Sequence, residues 1–132
     1  MLFFHGGGWV VGDLDTYDGT ARLHAAATGA VVVSVDYRLA PEHPFPAAVD
    51  DVWAVTQWVA AHADEIGGDP NGVAVAGDSA GGNLAAVVAQ LARDAGITLR
   101  AQLLWYPATT WDTSLPSFTE NADAPVLGRD AV

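Results

Sequence analysis

Short apolar runs alternate with longer stretches of helical periodicity along this chain, and that alternation restricts its fold more than any other feature. The runs are Leu2 to Phe4, Ala30 to Asp36, Val73 to Ala76 and Ala101 to Trp105. The second, Ala30-Val31-Val32-Val33-Ser34-Val35, is apolar almost without interruption, as expected of a strand covered on both faces and therefore of a parallel sheet. Between the runs the spacing predicts helices from about Tyr17 to Thr28, from Pro46 to about Asp64 and from about Ala80 to Ala95. Gly29 and Gly96 suit helix ends, and Pro46 suits a first helical turn. Val49, Val52, Trp53, Thr56 and Val59 recur on one side of the second helix, as do Leu84, Val87, Val88 and Leu91 on the third. Asp69 to Gly72 reads as a turn, and the segment from Pro107 onward as loop. Strands and helices in this order build βαβ crossovers, so the class is α/β: a mainly parallel sheet with helices on both faces.

Such sheets carry their sites at the carboxyl ends of the strands. Both glycine clusters, Gly6 to Gly8 and Gly77 to Gly82, follow directly on a strand, so they are expected to meet in space. Gly77-Asp78-Ser79-Ala80-Gly81 lies between a strand and a helix, the context that a GxSxG nucleophile turn requires. The turn is tight enough that only small residues fit two positions before and after the serine, and Gly77 and Gly81 stand there. Ser79 would sit at a helix N-terminus, where unpaired N–H groups favour a developing oxyanion, with the N–H of Ala80 as a donor. The plainer alternative makes Ser79 an N-cap. The His5-Gly6-Gly7-Gly8 run argues for the first reading, because hydrolases of this architecture take further oxyanion donors from such a loop.

The remaining candidates carry structural expectations. His5 lies inside the glycine segment and is expected to brace it by hydrogen bonds rather than to act as general base. His24 and His62 on helices, and His43 in a proline-rich loop, are expected to be surface or packing residues. Trp9 either lines an acyl pocket or packs on the sheet. Asp78 either orients the serine turn or caps the following helix with its carboxylate, capping being the expected role because acidic residues favour helix N-termini. Asp13, Asp15 and Asp18 are expected to form a solvated loop cluster. No histidine pair has metal-ligand spacing with a carboxylate, so neither a metal nor a cofactor is expected.

Composition narrows the partners. The 132 residues suffice for one domain, and 51% hydrophobic against 16% charged residues describes a packed chain. Sixteen acidic against five basic residues give a formal charge of −11, which repels nucleic acid and anionic membrane surfaces. With no Lys there is no Walker-type phosphate loop, and with no Cys there is no disulfide, thiolate catalysis or Cys-based zinc site. Neither a membrane span nor an export signal is expected, and the cytoplasm is the default compartment.

Three segments together resemble the hormone-sensitive lipase family of esterases: HGGGWVVGD at 5 to 13, VVVSVDYRLAPEHPFPAAVDD at 31 to 51, and VAVAGDSAGGNLAA at 73 to 86. The resemblance implies an α/β-hydrolase fold in which Ser79 is the acyl-accepting nucleophile and Gly7, Gly8 and Ala80 supply oxyanion N–H groups, with Gly6 beside them. It treats Tyr37 to Glu42 as a structural loop. The fold's triad runs Ser, then Asp or Glu, then His, whereas all four histidines here precede Ser79. Asp94, Asp112, Asp123 and Asp130 are not expected to substitute. Residues 1–132 are therefore expected to form a partial catalytic domain, truncated at both ends, of an enzyme acting on small ester substrates of the short acyl or aryl class. Two rivals remain: a receptor-like small-molecule binder that has lost catalysis, and an amide or acetyl hydrolase on the same fold.

Overall fold

The computed structural model describes residues 1–128. Four strands, β1 (Leu2–Phe4), β2 (Val33–Val35), β3 (Ala74–Asp78) and β4 (Ala101–Trp105), form one sheet in the order β2-β1-β3-β4, every neighbouring pair parallel. The connections are helices α1 (Leu14–Thr28), α2 (Ala47–His62) and α3 (Ala80–Asp94), and a short α4 (Pro116–Glu120) lies in the tail.

The alternation of side chains along β1 assigns the helices to faces. Phe3 turns its ring to Tyr17 and His24 of α1. Leu2 and Phe4 point the other way and pack in one cluster with Val52 and Val59 of α2 and Leu84, Ala85 and Val88 of α3. Helices therefore cover both faces, as expected, and the helical periodicities bury Val52, Thr56, Leu84 and Val88 completely. Burying the apolar side chains among them stabilises by about 1.5 to 3 kcal/mol each.

Several boundaries differ from the sequence reading for local reasons. Helix α1 starts at Leu14 because the Asp13 carboxylate accepts from the Thr16 N–H at 2.7 Å. The Thr16 hydroxyl, which donates to the same oxygen at 2.6 Å, and after it this N–H hold the Asp13 carboxyl below its ordinary pKa. Asp13, Asp15 and Asp18 are thus the capped start of a helix and not a loop cluster, and Asp18 pairs with Arg22 one turn on. Strand β2 is only three residues long because β1 offers three partners, Leu2 to Val33 through Phe4 to Val35. Pro46 sits at the N-cap of α2, and a 3₁₀ turn, Ala63–Ile66, follows that helix. The tail, expected to be loop throughout, forms α4 with Pro116 at its start. Strand β3 runs on to Asp78, since Gly77 and Asp78 pair with Leu104 and Trp105, so the strand reaches the residue before Ser79.

Candidate active site

Ser79 is the single residue between β3 and α3. Its backbone has φ 52° and ψ −117°, a conformation costing a non-glycine residue about 1 to 3 kcal/mol unless its surroundings enforce it. They do: the Ser79 N–H donates to the Trp105 carbonyl at 2.9 Å, and the Ser79 carbonyl accepts from the N–H groups of Asn83 at 3.0 Å and Ala108 at 3.2 Å. The Asn83 side chain fastens the same tail by donating to the Ala108 carbonyl. The Ser79 hydroxyl makes no capping hydrogen bond, and its backbone lacks the extended geometry of an N-cap. The capping alternative therefore finds no bond to rest on.

The flanking glycines are required by contact. A Cβ on Gly81 would overlap the Phe4 carbonyl oxygen and lie 2.6 Å from the His5 carbonyl oxygen, and one on Gly77 would overlap Gly81. We expect Gly81→Ala to destabilise the protein by about 3 kcal/mol or more, since β1 and α3 must part to admit a methyl group. The readout is the midpoint of chemical denaturation, and an unchanged midpoint would show that the sheet yields at no cost.

Register brings the second glycine cluster to this turn. Phe4 pairs with Gly77 across β1 and β3, so the residues following each strand emerge side by side. Gly7 and Gly8 both have positive φ, 112° and 62°, and the Gly7 carbonyl accepts from the N–H groups of Val10 and Val11. Among the described residues the N–H groups of Gly7, Gly8 and Ala80 enter no hydrogen bond, whereas that of Gly6 donates to Asp78 Oδ1 at 3.0 Å.

His5 lies buried beneath this loop. Its Nδ1 is 2.7 Å from the Gly6 carbonyl, which assigns the proton to Nδ1, and its ring stacks on Tyr37 at 4.2 Å. The Tyr37 hydroxyl donates to the His5 carbonyl at 2.6 Å. Burial pushes the Tyr37 phenol far above its ordinary pKa, so it remains a donor. His5 Nε2 is buried without a partner among the described residues. Asp78 departs from expectation. Its carboxylate does not cap α3; Oδ1 takes the Gly6 N–H and Oδ2 takes the Tyr17 hydroxyl at 3.1 Å, because the side chain projects from the strand end toward α1 and the glycine loop.

Beside the turn opens a cavity of about 610 Å³, lined among others by Gly8, Trp9, His43, Phe45, Asn83 and Trp111. Arg38, also in its wall, is held by Asp51 of α2 through Nε and Nη2, and this pairing keeps the Asp51 carboxyl below its ordinary range.

A parallel sheet with a strand–serine–helix turn whose glycines cannot bear side chains, set against a glycine loop with free N–H groups, matches one protein family over residues 1–132, described as the alpha/beta hydrolase fold. The chain belongs to the α/β hydrolase fold family. The resemblance to its hormone-sensitive lipase branch holds over the whole chain. Carboxylesterase NlhH of Mycobacterium tuberculosis is 64% identical over 133 residues, covering 100% of this chain and 42% of that protein. Two solved structures superpose closely. DphMB1 has a TM-score of 0.97 at 85% identity, covering 99% of this chain and 44% of its own. The hyperthermophilic esterase of Pyrobaculum calidifontis has a TM-score of 0.93 at 50% identity, with coverages of 98% and 44%. The chain thus spans less than half the length of these relatives.

Within this α/β hydrolase fold the other candidates stay apart from the turn. His24 is bonded to the Thr20 carbonyl and His62 to that of Trp58, and no hydrogen bond among the described residues joins a histidine to Ser79. Asp94 pairs with Arg93, Asp112 holds Ser114 and Asp123 is exposed, while Asp130 lies outside the described residues. No group of three His, Cys, Asp or Glu among the described residues could hold a metal, and none of their helices is long and apolar enough to cross a membrane. Trp9 packs against the core and also lines the cavity. Tyr17, Tyr37, His43 and Asn83 were not expected near the site. Tyr37, in the loop that the resemblance treats as structural, reaches the glycines through His5, against whose ring it stacks and to whose carbonyl its hydroxyl donates.

Proposed function

We propose that the whole protein hydrolyses carboxylic esters of small molecules through an acyl-enzyme on Ser79. One observation carries this reading: a serine held in an enforced backbone conformation, its hydroxyl uncommitted to any cap, faces a neighbouring strand end whose Gly7 and Gly8 N–H groups are free. The names of the relatives, a carboxylesterase and an esterase, support it.

In the proposed reaction Ser79 Oγ attacks the ester carbonyl carbon, and its proton passes to a general base. The N–H groups of Gly7, Gly8 and Ala80 hold the oxyanion, Ala80 adding the positive end of α3. Collapse expels the alcohol, which takes up the proton, and water then releases the acid by the same route. In this fold the base and its orienting acid follow the serine in the order Ser, acid, His, whereas the four histidines of this chain all precede Ser79. The apolar cavity beside Gly8 receives one side of a short acyl or aryl ester.

The test treats the whole protein with a fluorophosphonate and with p-nitrophenyl butyrate. Saturable hydrolysis and a single label on the Ser79 peptide are expected. Hydrolysis that persists with the label on another residue would overturn the assignment.

A further inference from the structure

The Asp78 carboxylate joins three elements at one point. It leaves β3 next to Ser79, accepts from the Gly6 N–H of the glycine loop at 3.0 Å, and accepts from the Tyr17 hydroxyl of α1 at 3.1 Å. Contact is close enough that a Cβ on Gly6 would overlap Asp78 Oδ2 and lie 3.0 Å from the Tyr17 oxygen. The β1–β3 ladder ends at Phe4 and Gly77, so beyond it this side chain is the link between the candidate nucleophile turn and the loop that carries the oxyanion donors.

Resting on the hydrolase reading above, we propose that Asp78 is a positioning residue, which fixes the separation of Ser79 from the N–H groups of Gly7 and Gly8 and withdraws the Gly6 N–H from substrate. Electrostatics alone would disfavour an acid here, because a carboxylate beside Ser79 opposes the negative charge that forms on the carbonyl oxygen. Its value is geometric. Two donors from different elements hold the carboxylate turned toward α1 and the loop, and oxyanion donors act only when preset at hydrogen-bond distance from the tetrahedral oxygen. Tyr17 remains protonated for this purpose, since burial, and after it the Asp78 charge, pushes its phenol up.

A misplaced donor weakens the transition state more than the bound substrate, so the effect belongs in kcat. In the whole protein, Asp78→Ala is expected to lower kcat by about 10²-fold while KM stays within about two-fold. Asp78→Asn is expected to recover kcat to within about three-fold of wild type, because its carbonyl oxygen can still accept from Gly6 and its amide can donate to the Tyr17 oxygen. Tyr17→Phe, which removes one arm without leaving a hole, is expected to lower kcat alone by about three- to ten-fold, near the loss of one hydrogen bond. It serves as the reading should Asp78→Ala fail to fold. Wild-type kcat in Asp78→Ala or in Tyr17→Phe overturns the proposal, as does a loss carried wholly by KM or one that Asn does not recover. Wild-type protein that neither turns over ester nor labels at Ser79 overturns the hydrolase reading and this proposal with it.

Discussion

Replacing Ser79 by alanine removes ester hydrolysis by the whole protein, by about 10⁴-fold or more, while its thermal midpoint stays near that of wild type. The two halves of this expectation rest on different observations. The loss follows because the acyl-enzyme needs an oxygen nucleophile, and without it only the residual effect of the oxyanion donors and substrate binding is left. The retained stability follows because the Ser79 hydroxyl forms no capping bond, and the turn is held by backbone bonds to Trp105, Asn83 and Ala108 that alanine leaves in place. Alanine also meets the same constraint at φ 52° as serine, so the change is worth no more than about 0.5 kcal/mol. Hydrolysis of a p-nitrophenyl ester and calorimetry measure the two quantities. Full turnover in the alanine variant sinks the nucleophile assignment.

Gly7→Val is the second large effect, lowering kcat by about 10²-fold or more and changing KM less. Gly7 has φ 112°, a region that β-branched residues scarcely enter, and its Cβ position is already occupied by the Val11 carbonyl oxygen. Valine must therefore open the turn in which the Gly7 carbonyl accepts from Val10 and Val11, and the Gly7 and Gly8 N–H groups swing with it. Ground-state binding depends mainly on the cavity walls, so the damage concentrates in the transition state. Steady-state kinetics across a substrate series gives the split, and an effect confined to KM would reduce the loop to a binding element.

The fold was readable because hydrophobic patterning is local: the run from Val31 to Val35 and the repeat through Leu84 and Val88 declare strand and helix without reference to anything distant. The Gly77 and Gly81 requirement was readable for a similar reason, since a sharp strand-to-helix turn excludes side chains wherever it occurs. For Asp78 the capping role was favoured over the orienting one because N-capping preference is a statistical property of position, whereas its partners, Gly6 and Tyr17, are 72 and 61 residues away in sequence. The role of Tyr37 is hidden in sequence for the same reason, its bond to His5 crossing 32 residues. The cavity, assembled from Gly8 and Trp9, the loop before α2, one face of α3 and Trp111, has no contiguous signature at all.

That patchwork wall separates two rates of drift. At Gly77 and Gly81 almost any replacement collides with backbone, so the reacting geometry is frozen by the main chain itself. Phe45 and Trp111, 87% and 68% exposed, border the cavity from segments outside the sheet and can change size without touching β1 or β3. A lineage built on this frame can reshape its cavity by rewriting the rim alone, and selection in the laboratory has the same freedom.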